Sequence, residues 1–228
     1  MTDKPANRSV VSSSIDELHL ASIMVDSREI FIHGHSNEEG TDSGVDHRMA
    51  NQFVKNIRFL AHLNDKPIII HQHSIGGDWN AGIMMYDAIK TCEVYVIIIT
   101  HGIAASMGSI VPQAADLRLT MPNCDWLIHD GTTGIHPGLN QKQRKSWGKL
   151  EDRLGDTMLD IYASKCMNSK EYLGKTQKQT KTQIMKELYS KEDWWLSAEE
   201  ALSHGFIDGV FGTEKYINMT ILKEFGYT

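Results

Sequence analysis

Residues Thr100 to Gln113 read THGIAASMGSIVPQ. This stretch follows the strand-forming run VYVIII, Val94 to Ile99, and then turns small and glycine-bearing around Ser106, with Gly102, Ala104, Ala105 and Gly108 as company. Nothing bulky is present to shield the hydroxyl. Two readings fit: a tight turn packed into a core, or a nucleophile at a strand-to-helix turn that a substrate backbone can approach.

The same alternation of strand and helix recurs on both sides of this stretch. Upstream, PIIIHQH (Pro67 to His73) is a strand, SIGGDWN breaks it, and AGIMMYDAIK resumes a helical pattern to Lys90. Before that, Met49, Phe53, Ile57 and Leu60 recur at spacings of four, four and three, one stripe of a helix over residues 45–62. EIFIHG (Glu29 to Gly34) is a further strand, followed by the acidic loop HSNEEGTDSG. Downstream, a helix is expected over residues 106–115, then the strands LRLTM and DWLIHD. Residues 141–165 read as one long helix, with Trp147, Leu150, Leu154, Met158 and Ile161 on a stripe, long enough to project beyond the sheet. Near the end, Ser197 with Glu200 makes a capping box and Gly205 a stop. Near-continuous apolar strands alternating with helices imply an α/β fold with parallel pairing and both sheet faces covered. The chain is expected to divide into a flexible N-terminal arm, residues 1–26, and one domain, residues 27–228.

Composition narrows the function classes. With 228 residues, 41% of them hydrophobic, a sizeable core is available, and a net charge of −6 with signs interspersed argues against nucleic acid or anionic lipid as partner. No apolar run is long enough to cross a membrane and the N-terminus has no signal core, so a cytoplasmic protein is expected. Cys92, Cys124 and Cys166 are widely spaced and odd in number, which suits reduced thiols rather than disulfides or zinc. The pairs His33/His35 and His71/His73 each share a strand face, yet no Cys or carboxylate at matching spacing completes a metal site, so no metal is expected.

In open parallel sheets, ligands sit beyond the carboxyl ends of the strands. Those ends deliver Gly76 and Gly77, Ser106, and His129. A serine at a helix start lies beside the unpaired N–H groups of the first turn, which would stabilise a developing oxyanion. Serine needs a base, usually an imidazole held in one tautomer by a carboxylate. His129 is the candidate base and Asp193, in KEDWWLSAEEA, the candidate orienter. Taken singly, each has an ordinary alternative: a turn serine, a hydrogen-bonded structural histidine, a solvated acid beside a helix.

Four segments carry a family resemblance. GIAASMGS resembles GQAASMGA, MPNCDWLIHD resembles LPNARIMIHQP, SIGGDWNAGIMMYDAI resembles SPGGSVTAGLAIYDTM, and DWWLSAEEALSHGFIDGV resembles DxFLSAEEAxxYGLIDxV. These are the motifs of the Clp protease proteolytic subunit family (ClpP), serine peptidases of the ClpP/crotonase-like fold: repeated β-β-α units with a projecting handle helix. The match spans residues 28–212 in family order. It implies Ser106 as nucleophile, His129 as base and then acid, Asp193 as its orienter, and the N–H groups of Gly77 and Met107 as oxyanion hole. An extended peptide would lie between Gly76 and Asp78 on one side and Asp130, Gly131 and Thr132 on the other. The resemblance further implies a heptameric ring or double ring of identical subunits, polypeptide substrates fed by an AAA+ unfoldase, and no cofactor of its own, ATP being used only by that partner. The sequence departs from the pattern at Ile75, usually proline, at Ile103, usually glutamine, and at Glu192, usually an arginine. Alternatives within the same fold are a phage head-maturation protease, a catalytically silent scaffold subunit of a mixed ring, and a crotonase-type acyl-CoA enzyme.

Overall fold

The computed structural model describes residues 15–16, 18–33, 44–131, 138–213 and 223. Their strands are β1 (Ile23–Met24), β2 (Glu29–Ile32), β3 (Ile68–Ser74), β4 (Val96–Ala105), β5 (Leu117–Thr120), β6 (Asp125–Ile128), β7 (Trp194–Leu196) and β8 (Gly209–Val210). The sheet runs β1-β2-β3-β4-β5-β8, and β6 branches from β4 to carry β7. Neighbours from β2 through β8 pair parallel, as does β4 with β6, whereas β1–β2 and β6–β7 are antiparallel. Ile23 and Met24, inside the stretch read as an arm, form the antiparallel edge.

The isoleucine-rich strands are buried on both faces. Helix α1 (His47–Leu63) starts where the Asp46 carboxylate accepts the Met49 N–H at 2.7 Å. Its expected stripe of Met49, Phe53, Ile57 and Leu60 lies in the main core, each side chain contributing about 1.5–3 kcal/mol by burial. Helix α2 (Trp79–Lys90) packs on the same side. Ile69, Ile97, Ile99, Leu117 and Leu119 make a smaller cluster on the opposite face.

Strand β4 organises the molecule. Its first half pairs with β5 (Ile97 with Leu117 to Thr100 with Thr120), and its second half pairs with β6 (Ile103 with Asp125 to Ala105 with Leu127). The change of neighbour comes at a bulge: β3 advances from Gln72 to Ser74 while β4 advances from Thr100 to Ala104. Gly102, with φ +67°, supplies the left-handed backbone that this detour needs. Continuing as a strand through glycine and alanine, β4 ends one residue before Ser106, six residues beyond the end of the apolar run.

The helix expected over residues 106–115 is α-helical only over Met107–Ile110 (α3) and tightens to a 3₁₀ turn over Val111–Ala114. Pro112 explains the change, because it can donate no backbone bond. Helix α4 (Gln141–Cys166) opens with a capping box between Asn140 and Gln143 and is buried only from Met158 onward, leaving its first half protruding with Trp147 43% exposed. Helix α5 (Gln177–Lys191) is almost wholly polar but has its own Thr176/Gln179 capping box, and it buries Thr180, Ile184 and Leu188 at intervals of four. Its Lys181 bridges Asp156 and Asp160 of α4 at 2.6 and 2.7 Å. Helix α6 (Ala198–His204) has the expected Ser197/Glu200 capping box and ends at Gly205, φ +80°. Arg118 of β5, 5% exposed, grips the loop before β8: it bonds Asp208, Gln113 and the Gly205 carbonyl. Among the described residues, no helix is long and apolar enough to cross a membrane.

Candidate active site

Ser106 sits at a backbone position that L-residues avoid, φ +53° and ψ −122°. Its N–H donates to the Leu127 carbonyl at 3.0 Å, which ties the turn to β6, and its carbonyl accepts the Ser109 N–H at 2.8 Å. Ser106 is half-buried, and its Oγ makes no hydrogen bond among the described residues. Such a turn pushes the side chain out of the strand line and leaves the Met107 N–H, the first of α3, without an intrahelical acceptor.

Gly76 presses directly against this turn. A Cβ there would lie 2.6 Å from Ser106 Cβ, 2.8 Å from the Ala105 carbonyl oxygen and 3.1 Å from Met107 N, so only glycine lets the two segments meet. The next residue, Gly77, is held beside Val45 by a parallel bridge in which Val45 N–H donates to Gly76 O and Asp78 N–H to Val45 O. Both bonds leave the exposed Gly77 N–H unused. A Cβ at Gly77, where φ is +145°, would strike the Val45 backbone at 2.3 Å. The Asp78 carboxylate is occupied as N-cap of α2, accepting the Ala81 N–H at 2.8 Å, with the exposed His47 at 3.7 Å. What this segment offers an extended chain is therefore backbone.

His129 follows β6 directly. The antiparallel register Trp126–Leu196, Leu127–Trp195, Ile128–Trp194, carried one residue further, sets His129 opposite Asp193, and the side chains meet with Nδ1 3.4 Å from Oδ1. Asp193 is placed by the turn that ends α5, where Glu192 adopts φ +58°. His129 Nε2, the nitrogen away from Asp193, is buried without a hydrogen-bond partner among the described residues. A buried polar nitrogen with no protein partner is uncommon in a folded protein. His129 is one-fifth exposed and Asp193 about two-thirds, so the pair opens to solvent on the carboxylate side. Asp130 and Gly131 are exposed at the same rim, and Thr132 lies outside the described residues.

Sequence reasoning thus named residues that the chain brings together: Gly76 with Ser106 and Met107, Ser106 with β6, and His129 with Asp193. It did not single out Ser109, Gln72, Gln113 or Tyr162, which surround the Ser106 turn with buried hydrogen bonds. A serine or glutamine amid an apolar run was the signal available. Three tryptophans near these segments differ in placement: Trp194 is buried edge-on against His204 and Phe206, Trp79 is packed against the core, and Trp195 is exposed. His71 and His73 lie beside the bulge rather than at this site. His71 Nδ1 pairs with His101 Nε2 at 3.0 Å, and His73 Nδ1 meets the His101 carbonyl at 3.0 Å. Burial, then the neighbouring His101, pushes the His71 pKa down to about 4.

The family model described as Clp protease matches residues 16–214. The chain belongs to the Clp protease family. It is 29% identical over 197 residues to the ATP-dependent Clp protease proteolytic subunit 2 of Pseudomonas aeruginosa, covering 84% of this chain and 85% of that protein. To the proteolytic subunit of Streptococcus sanguinis it is 30% identical over 169 residues, covering 73% and 80%. Among solved structures it is similar to a point mutant of ClpP1 from Listeria monocytogenes, with a TM-score of 0.67 at 23% identity over 87% of this chain and 99% of that one. The expected ClpP/crotonase-like α/β fold is thereby met, and the chain is a Clp-type protease subunit.

Proposed function

We propose that this Clp family protein is a serine endopeptidase that cleaves extended polypeptides through Ser106, His129 and Asp193. The observation that carries the reading is the strained turn at Ser106 set against Gly76, with a buried imidazole nitrogen, unpartnered among the described residues, just beyond the strand that the same turn is bonded to. Strain of about 1–3 kcal/mol persists only where surrounding structure over-determines it, and it clusters at reactive groups.

In the proposed reaction the substrate lies extended along the Gly76–Asp78 backbone, held by main-chain bonds that are indifferent to side chains. Ser106 Oγ attacks the scissile carbonyl carbon as His129 Nε2 takes the hydroxyl proton. The carbonyl oxygen becomes an oxyanion facing the N–H groups of Gly77 and Met107, and Asp193 stabilises the imidazolium through Nδ1–H. His129 then gives its proton to the leaving amine as the carbon–nitrogen bond breaks. Water, deprotonated by His129, releases the acyl group from Ser106. Closing Ser106 onto His129 is part of substrate binding, since catalytic hydrogen bonds are often long in the empty state.

Non-selective cleavage calls for restricted access. We propose that the subunits close into a ring, the protruding half of α4 supplying contact between copies, and that an ATP-driven unfoldase delivers substrate; the relatives are named ATP-dependent, which is in keeping with an ATP-driven partner. A fluorophosphonate probe tests the chemistry. It should modify Ser106 stoichiometrically, and Ser106→Ala should abolish labelling while His129→Ala slows it severely. An assembled wild-type protein that takes no label would overturn the peptidase reading in favour of a scaffold subunit. Native mass spectrometry tests the ring.

A further inference from the structure

The peptide group joining Ser106 to Met107 has two ends with different fates. Its N–H is the oxyanion donor of the proposed mechanism, and its carbonyl, trans to that N–H, points back into the protein. There the oxygen accepts two hydrogen bonds, from Ser109 N at 2.8 Å and from Ser109 Oγ at 2.6 Å. The Ser109 hydroxyl has one proton and gives it to this carbonyl. Its 2.7 Å contact with Tyr162 Oη is therefore a donation from the tyrosine. Both side chains are fully buried, and burial holds the Tyr162 phenol protonated far above the usual range. The neighbouring carbonyls are held likewise: Gly108 O accepts from Gln72 Nε2 at 2.6 Å, and Ser109 O from Gln113 Nε2 at 2.9 Å.

Helix closure does not require the relay. The Ser109 N–H alone would complete the turn, and the family pattern quoted above has alanine where this chain has Ser109. Burying a hydroxyl and a phenol costs free energy unless they bond each other, so their presence suggests a task. Two donors on one carbonyl draw electron density toward oxygen, which makes the N–H of the same amide a stronger donor and fixes its direction.

We propose that Ser109 and Tyr162 are positioning residues for catalysis: the chain Tyr162 Oη–H to Ser109 Oγ–H to Ser106 carbonyl aims and polarises the Met107 N–H toward the oxyanion. The inference rests on the assignment of Ser106 as nucleophile and Met107 as oxyanion donor. It makes the α4 helix, from which Tyr162 projects, a part of the machinery although it touches no substrate.

The test uses full-length protein, a fluorogenic peptide and a peptide boronate whose tetrahedral adduct mimics the oxyanion. Losing an oxyanion donor costs about 10²- to 10³-fold, and polarisation changes a bond by about 10–30%, so weakening without loss should lower kcat roughly 2- to 8-fold. Ser109→Ala and Tyr162→Phe are each expected to lower kcat in that range with KM unchanged and to weaken boronate binding in parallel. The double variant should match Ser109→Ala alone, and Ser109→Thr, which keeps the hydroxyl, should restore the rate. Tyr162→Phe preserves the ring packing against Phe206, so it remains informative should Ser109→Ala fold poorly. Wild-type kcat and boronate affinity in both folded variants would overturn the relay, as would losses confined to KM or explained by the fraction of active protein titrated. A wild-type protein that takes no fluorophosphonate would instead overturn the catalytic assignment itself.

Discussion

Replacing Gly76 by alanine is the sharpest perturbation that the geometry offers. The new methyl would stand 2.6 Å from Ser106 Cβ, where carbon atoms prefer about 3.5–4.0 Å, so one of the two segments must retreat by about 1 Å. Gly76 cannot easily be the one to move, since its carbonyl is bonded to Val45 N at 2.6 Å and its φ of +96° is already outside the range of alanine. Strain of about 1–3 kcal/mol plus overpacking of about 1–3 kcal/mol gives a destabilisation of about 2–6 kcal/mol. A displacement of that size at the nucleophile and at Met107 N should cost at least about 100-fold in rate. Gly205→Ala provides the control, because its methyl would lie 2.6 Å from Ser169 Cβ and touches neither Ser106 nor the oxyanion donors. Second-order labelling by fluorophosphonate, measured on protein shown to be folded by circular dichroism and thermal melting, separates rate from stability. Gly76→Ala should lose labelling rate well beyond its loss of stability, and more than Gly205→Ala does at equal stability. Wild-type labelling of folded Gly76→Ala would refute the claim that these two segments form one reactive surface.

Three further outcomes are expected. Asp208→Ala leaves the Arg118 guanidinium buried without its carboxylate, and the urea midpoint should fall by the equivalent of about 3 kcal/mol. Above about pH 6.5 His71 is neutral folded or unfolded, and between there and its folded pKa of about 4 the unfolded chain binds the extra proton. Stability should therefore decline as pH falls through that window, by no more than about 3 kcal/mol because Glu29, 3.7 Å from Nε2, favours the cation; denaturation of His71→Gln across the same window should show a flatter profile. Gly205→Ala, which forces a left-handed alanine whose methyl would lie 2.6 Å from Ser169 Cβ, should lower the denaturation midpoint by the equivalent of about 2 kcal/mol or more.

What the sequence disclosed follows from which interactions are local. The α1 stripe and the Ser197/Glu200 cap are written within a few residues, so spacing alone reveals them. Helix α5 escaped the periodicity argument because its buried set is only Thr180, Ile184 and Leu188, though its Thr176/Gln179 cap was there to be read. The second half of β4 escaped because glycine and alanine look like a turn until β6 is in place to pair with them. Within the site, Ser106 was visible as a hydroxyl among small residues. The pairing of His129 with Asp193 depends on the antiparallel register of β6 and β7, and the bond from Tyr162 to Ser109 spans 53 residues. Neither has a local signature.

The detour between Thr100 and Ala104 inserts an even number of extra residues, and parity is its deeper property. Side chains alternate across a strand, so an even insertion leaves every later residue facing the side it would have faced without it. The span before the detour and the span after it can consequently drift apart in composition over generations without exchanging their inward and outward members. Removing one residue from 101–103 would instead invert the whole distal half, sending Ala104, Ala105 and the hydroxyl beyond them to the wrong side. Lineages carrying this chain should thus accept length changes here in pairs and reject them singly.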